Sequence, residues 1–63
     1  GKGIASLLMR SLIEVARDRG LEIMEGQVLS NNFRMLDLMA RLNFSINNDP
    51  DEPGIKLVQL RLL

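Results

Sequence analysis

The chain has 63 residues, with eight basic and eight acidic side chains and neither cysteine nor histidine. Disulfides and thiolate metal sites are therefore excluded, and the commonest general base is missing. Zero net charge, two aromatic residues and no long apolar run argue against nucleic-acid and membrane partners. We expect a cytoplasmic α/β protein without a metal. Since the chain starts at a glycine instead of a methionine, we also expect a fragment of something longer.

The first predicted element is an amphipathic helix over residues 4–19, preceded by a glycine-rich opening turn. Its apolar side chains repeat with helical period and occupy one half of the helix: Ile4, Ala5, Leu8, Met9, Leu12, Ile13, Val15 and Ala16. We expect this half to lie on a sheet and Gly20 to end the helix in a left-handed conformation. The first N–H groups of a helix lack intrahelical acceptors, so the opening turn, residues 1–6, predicts an anion-binding site.

A strand is predicted next, over residues 21–29. Apolar side chains occur on both of its faces, which is typical of a strand covered on both sides in an α/β sheet. Gly26 lies inside this strand. It predicts a bulge, or a close approach by another backbone or a ligand.

A second helix is predicted over residues 32–42, after a capping cluster of Ser30, Asn31 and Asn32. The helix is apolar most of the way round, so we expect it to have partners on several sides. Its polar residues are spaced three and four apart and are expected to form ion pairs: Arg34, Asp37 and Arg41.

The remaining residues predict a left-handed Asn43, a short strand starting at residues 44–46, a loop over 47–54 and a strand over 55–62. The element order is helix, strand, helix, strand, strand. So few strands make a small sheet for two apolar helices, and the strand over 21–29 has no evident neighbour on one side. We therefore expect N-terminal strands to be missing from this sequence.

The opening turn contains a short glycine motif. Gly3-Ile4-Ala5 has the form Gly-x-Ala, and Gly1 and Lys2 stand in two preceding variable positions. This resembles the last five positions of the pyrophosphate-binding motif of the GNAT superfamily of N-acetyltransferases, Gln/Arg-x-x-Gly-x-Gly/Ala. Its leading Gln or Arg would precede Gly1, so the chain is expected to begin inside the motif.

A second block strengthens the resemblance. In the family a strand is followed by an Asn, then by an apolar helix, then by Gly-Phe at a fixed distance. Here Val28 lies in the strand, Asn32 is the Asn, and Phe44 is the Phe, with Asn43 where Gly is usual. The resemblance implies an α/β fold of the partial GNAT type, in which residues 1–63 are the C-terminal part of a single acetyltransferase domain. A narrower likeness is to protein lysine acetyltransferases that carry a GNAT domain behind an acyl-CoA-synthetase-like region. It depends on EGQVL at 25–29, Asn32, Met35-Leu36, Phe44 and Asp-Pro-Asp at 49–51.

The resemblance implies a site for acetyl-CoA as cosubstrate. The residues expected to bind its pyrophosphate are Lys2, Gly3, Ile4, Ala5 and Ser6. Asn32 is expected to hydrogen-bond the pantetheine arm or to order the strand end near it. A helix cap without a ligand contact is the alternative for Asn32, and Asn31 is a rival for either role.

No catalytic residue is assigned. Many family members have a Tyr seven residues after the Asn, as the acid that protonates the departing thiolate, and here that residue is Met39. A thioether has no proton to give. Glu22 and Glu25 fall on opposite faces of one strand, so they do not form an acid–base pair. The acidic loop around Asp49 is expected to be solvated and to hold no cation.

The resemblance thus implies a parent enzyme that transfers acetyl from acetyl-CoA to an amine such as a protein lysine, although the isolated fragment would be inactive. One alternative is a non-catalytic acyl-CoA sensor, which the presence of Met39 in place of Tyr suggests. The other is an oligomerisation element that self-associates through the exposed strand.

Overall fold

The computed structural model describes residues 3–63, which form two helices and three strands. The elements are helix α1 (Ile4–Asp18), strand β1 (Ile23–Leu29), helix α2 (Phe33–Arg41), strand β2 (Ser45–Asn48) and strand β3 (Ile55–Arg61). The predicted class and element order are confirmed. Helix ends differ from the predicted ones by a single residue, whereas β1 starts two residues later than predicted and β2 continues further into the expected loop.

The three strands form an antiparallel sheet in the order β1-β3-β2, with β1 and β2 at its edges. Val58 of β3 lies opposite Gly26 on one side and Ile46 on the other. Because directly opposite residues share a face and successive residues alternate, this register defines two faces. The helix face carries Met24, Gly26, Val28, Ile46, Asn48, Lys56, Val58 and Leu60. The open face carries Ile23, Glu25, Gln27, Leu29, Ser45, Asn47, Ile55, Leu57, Gln59 and Arg61.

Both helices contribute to one apolar core on the helix face. The buried side chains are Ile13, Ala16, Val28, Met39, Leu42, Phe44, Val58 and Leu62. Met39 and Val58 are the least exposed, at 3% and 4%. Arg17 ties α1 to the end of the sheet, because its Nε donates to the carbonyl oxygen of Leu62 at 3.0 Å. The result is a two-layer molecule of 34 × 29 × 13 Å.

The prediction that the first strand is covered on both faces is wrong for residues 3–63. Along β1, Val28 is buried and Met24 is partly buried, and both lie on the helix face. The open-face residues of β1 are exposed, including Leu29 at 58%. The physical reason is that α1 and α2 lie on the same side of the sheet.

The predicted burial of half of α1 is also largely wrong. Ile13 and Ala16 are buried and Met9 is partly buried, whereas Leu8 and Leu12 are 62% and 56% exposed. A three-stranded sheet is too narrow to cover the whole apolar half of one helix while a second helix shares the same face. The apolar stripe of α1 therefore meets the core at only a few positions.

Helix α2 has fewer partners than its sequence predicts. Met39 is buried against the core, but Phe33 at the start of the helix is 76% exposed. Of the expected ion pairs, the described part of the chain forms only that between Asp37 and Arg41, at 3.0 Å. Both side chains are well exposed, so this pair contributes at most a few tenths of a kcal/mol.

Two glycine predictions have different outcomes. Gly20 has a φ of 79° after α1, and Asn43 has a φ of 71° after α2, so both left-handed helix ends are confirmed. The predicted bulge at Gly26 is wrong, because pairing between β1 and β3 runs without interruption through Gly26 and Val58. A Cβ at Gly26 would lie 3.6 Å from Cγ2 of Val58, an ordinary contact, so close approach by another backbone is also absent there.

The central position of Met39 leads to a stability prediction. Met39→Ala should lower the free energy of unfolding by about 2–5 kcal/mol, because it leaves a cavity between α2 and the sheet. Leu7→Ala is the matched control: Leu7 lies on α1 with 68% exposure, and its loss should change stability by about 0.5 kcal/mol or less. Urea unfolding followed by circular dichroism measures both. Equal effects would contradict the core described above.

Candidate functional site

The opening turn begins α1 with an unusual backbone conformation. Gly3 is the N-cap residue, with a φ of 98° and no side chain to cap the helix. Its carbonyl oxygen accepts the first helical hydrogen bond, from the N–H of Leu7 at 2.9 Å. A side chain is strained at this φ, and a Cβ built there meets nothing within 4 Å. The described residues therefore leave the space in front of this helix end open.

The first turn of α1 is suited to a negative group. It carries no acidic side chain, and Ile4 and Ala5 are exposed. Ser6 is half-buried, and its Oγ accepts from Nε of Arg10 at 3.4 Å. Arg10 was not among the residues predicted from the sequence. Its spacing of four from Ser6 was the available signal, because residues four apart lie on the same side of a helix.

Lys2 and Gly1 lie outside the described residues, and the role of Lys2 in binding pyrophosphate stays a prediction. The described donors at this helix end are the first N–H groups of α1 and the Arg10 guanidinium.

Asn32 is a helix cap. Its Oδ1 accepts from the N–H of Met35 at 3.1 Å, and its own N–H donates to the carbonyl oxygen of Leu29 at 2.9 Å. The capping alternative is therefore confirmed for Asn32, whereas Asn31 is exposed and does not cap α2. A ligand contact by Asn32 is compatible with this geometry, because its amide NH₂ remains on an exposed side chain.

The chain order relates the opening turn to the Asn32 cap. A tight turn at residues 19–22 joins the end of α1 to the start of β1. The 15 residues of α1 span about 22 Å and the seven residues of β1 about 23 Å. An α1 that runs back along β1 would therefore start near the end of the sheet where Asn32 begins α2.

The open face of the sheet holds a second feature. A depression of about 340 Å³ lies over the middle of the strands and is lined by residues from all three of them. Its one charged group is Glu25, whose Oε1 accepts from Nε2 of Gln59 at 3.1 Å. Gln27 and Asn47 add neutral amides to the same lining.

Residues 1–44 match the profile of the acetyltransferase (GNAT) family. The chain belongs to the GNAT family. It is also 38% identical over 56 residues to the L-methionine sulfoximine/L-methionine sulfone acetyltransferases of Pseudomonas paraeruginosa and Pseudomonas aeruginosa. These matches cover 89% of the chain and 33% of each relative, so the chain spans about a third of their length.

Membership of the family indicates which anion the start of α1 could bind. GNAT acetyltransferases use acetyl-CoA as cosubstrate, and its pyrophosphate is the kind of group that helix N-termini bind. The two helices and three-stranded sheet agree with a partial GNAT fold.

Met39, which stands where many GNAT enzymes have a Tyr, is buried in the core with 3% exposure. Its thioether packs among the other buried side chains of the core. A side chain in this position neither donates a proton nor faces solvent.

The acidic loop has a local structural role. Asp49 Oδ1 accepts from the N–H of Asp51 at 2.9 Å, which closes an Asx turn. Within residues 3–63, no three acidic side chains are grouped as metal ligands. In the same range, neither helix has the length and apolar character needed to cross a bilayer.

The Asn32 cap can be measured directly. Asn32→Ala should lower the free energy of unfolding by about 1 kcal/mol, because the N–H of Met35 loses its acceptor. Asn32→Asp keeps the acceptor and should leave stability close to that of the wild type. Asn31→Ala is the matched control, with an expected change of about 0.5 kcal/mol or less. A larger loss at Asn31 than at Asn32 would contradict the assignment of the cap.

Proposed function

We propose that this chain is the C-terminal part of an N-acetyltransferase domain that transfers the acetyl group of acetyl-CoA to a primary amine. The observation that carries this proposal is the start of α1. Gly3 has a left-handed φ, open space lies where its side chain would be, and the helix behind it has no acidic residue in its first turn. The motif residues Lys2, Gly3, Ile4, Ala5 and Ser6 would together bind the pyrophosphate of acetyl-CoA.

The direction of β1 supports a path for the rest of the cosubstrate. Asn32 directly follows the C-terminal end of β1, and in this proposal the start of α1 lies at that same end of the fold. A pantetheine arm that begins at the pyrophosphate would run along the free edge of β1 toward its middle. In this proposal the exposed NH₂ of Asn32 binds the arm while Oδ1 caps α2. The free edge of β1 serves the acetyl-CoA cleft instead of self-association.

Two acceptors are compatible with this chemistry. The relatives are named for acetylation of L-methionine sulfoximine and L-methionine sulfone, which are small amino-acid derivatives. The narrower likeness noted in the sequence favours a protein lysine instead. We propose the small amino-acid derivative, because 38% identity over 89% of the chain supports it more directly than a few scattered positions do.

A non-catalytic acyl-CoA sensor is the second candidate, and the sequence observation that suggests it is Met39 in place of Tyr. The burial of Met39 weakens the argument for a sensor, because a core position is filled by an apolar side chain whether or not the protein is an enzyme. The departing thiolate would then be protonated by water or by another residue, and transfer itself does not require Tyr at this position.

The pyrophosphate assignment is tested at Gly3. The complete protein containing this chain should bind acetyl-CoA with a dissociation constant on the order of micromolar. Gly3→Glu should weaken binding by about tenfold or more, because it puts a carboxylate against a phosphate group. Isothermal titration calorimetry measures both affinities.

Gly20→Glu is the matched control for this experiment. Gly20 also has a positive φ and open space at its Cβ, so the substitution brings similar backbone strain and the same charge to the other end of α1. It should leave acetyl-CoA affinity within about twofold of the wild type, because fields at a helix end extend over little more than a turn. Equal losses in both variants, or none in Gly3→Glu, would overturn the assignment.

The acceptor is tested by turnover of the complete protein. Release of CoA with L-methionine sulfoximine should exceed release with a lysine-containing peptide at equal concentration. The reverse preference would favour a protein lysine as the acceptor. Tight acetyl-CoA binding without turnover on any amine would favour the non-catalytic sensor.

A further inference from the structure

The open face of the sheet carries two opposite charges close together. Glu25 of β1 lies opposite Gln59 of β3, and Arg61 is the next residue of β3 on the same face. Glu25 and Arg61 are therefore diagonal neighbours across the strand pair, with Cα atoms about 7–8 Å apart. Both side chains are exposed.

These two charges do not neutralise each other. Among residues 3–63, the one ion pair joins Asp37 and Arg41, so Glu25 and Arg61 form none. Instead, Oε1 of Glu25 accepts from the amide of Gln59, which holds the carboxylate over the middle of the sheet. Its second oxygen is left to accept from another donor.

The surface around Glu25 suits a small polar molecule. Glu25 lines the depression of about 340 Å³, together with the side-chain amides of Gln27, Asn47 and Gln59 and the apolar side chain of Leu57. The NH₂ groups of neutral amides can donate to sulfone-type oxygens and to carboxylates. The depression thus combines one anionic group, neutral polar groups and an apolar floor, and Arg61 follows Gln59 along β3 on the same face.

We propose that this face binds the acetyl acceptor as a zwitterionic α-amino acid, with its amino group at Glu25 and its carboxylate at Arg61. The inference rests on the proposed function and extends it, because it names the acceptor class and the two residues that select it. An α-amino acid carries both charges on one carbon, and a carboxylate matches the planar guanidinium of arginine. A separation of about 7–8 Å between the two backbone positions lets two long side chains meet one small molecule.

The charge pattern separates this acceptor from a lysine side chain. The ε-amino group of a lysine in a peptide has no carboxylate beside it, so it would engage Glu25 and leave Arg61 without a partner. A zwitterion engages both charges. The two residues are expected to act as specificity determinants by direct contact with the acceptor.

The experiment uses the complete protein and two probes, L-methionine sulfoximine and its methyl ester, which lacks the carboxylate. Glu25→Gln should weaken calorimetric binding and raise the KM of both probes by about tenfold or more, because both present an ammonium group. Arg61→Gln should do the same for the free amino acid only. The KM for acetyl-CoA should stay within about twofold of the wild type in both variants.

Glu22→Gln and Arg34→Gln are the matched controls. They remove the same charges at exposed positions outside the open face, and they should leave the affinities for both probes unchanged. Urea unfolding of all four variants shows whether the folded state is kept. Lower stability of Glu25→Gln and Arg61→Gln with unchanged probe binding would mean that these residues only stabilise the sheet, and would overturn the inference.

Failure of the inference and failure of the proposed function give different results. If the wild type binds acetyl-CoA and acetylates a peptide lysine but does not bind L-methionine sulfoximine, the inference is overturned and the enzyme assignment stands. The inference is equally overturned if Arg61→Gln weakens the free acid and the ester alike. If acetyl-CoA does not bind, the proposed function fails, whereas calorimetry of the amino acid still tests the open face by itself.

Discussion

The fold depends on one layer of apolar contact between the two helices and the helix face of the sheet. Met39 from α2 and Val58 from the central strand are the least exposed residues of this layer. Because β3 pairs with both other strands, contact with its middle fixes the position of each helix relative to the whole sheet. The hydrogen bond from Arg17 to the last part of the chain joins α1 to the same layer.

This constraint decides where the chemistry lies. Once both helices occupy one face, the alternation of side chains along each strand leaves Glu25, Gln59 and Arg61 together on the other face. The proposed acceptor site on the open face is thus a consequence of this packing arrangement.

Local features were largely predictable from the sequence. The ends of both helices, the left-handed Gly20 and Asn43, and the cap at Asn32 depend on interactions within a few residues. The helix ends were found within one residue of their predicted positions, and the left-handed residues and the cap were found where the sequence placed them. The GNAT relationship was indicated by the resemblance of short motifs, and the family match confirms it. The narrower likeness to lysine acetyltransferases remains a prediction.

The sequence by itself therefore determined the element order and, to within one residue, the helix ends, because these follow from nearest-neighbour backbone preferences and from apolar periodicity. The family was indicated separately, by the resemblance of its short motifs. Only the tertiary structure decided that both helices share one face, that β1 has one covered face, and that Glu25 lies beside Gln59. Strand register brings together residues 34 positions apart in the chain. Periodicity indicates that a residue lies on a face, but it does not specify which face or which neighbour.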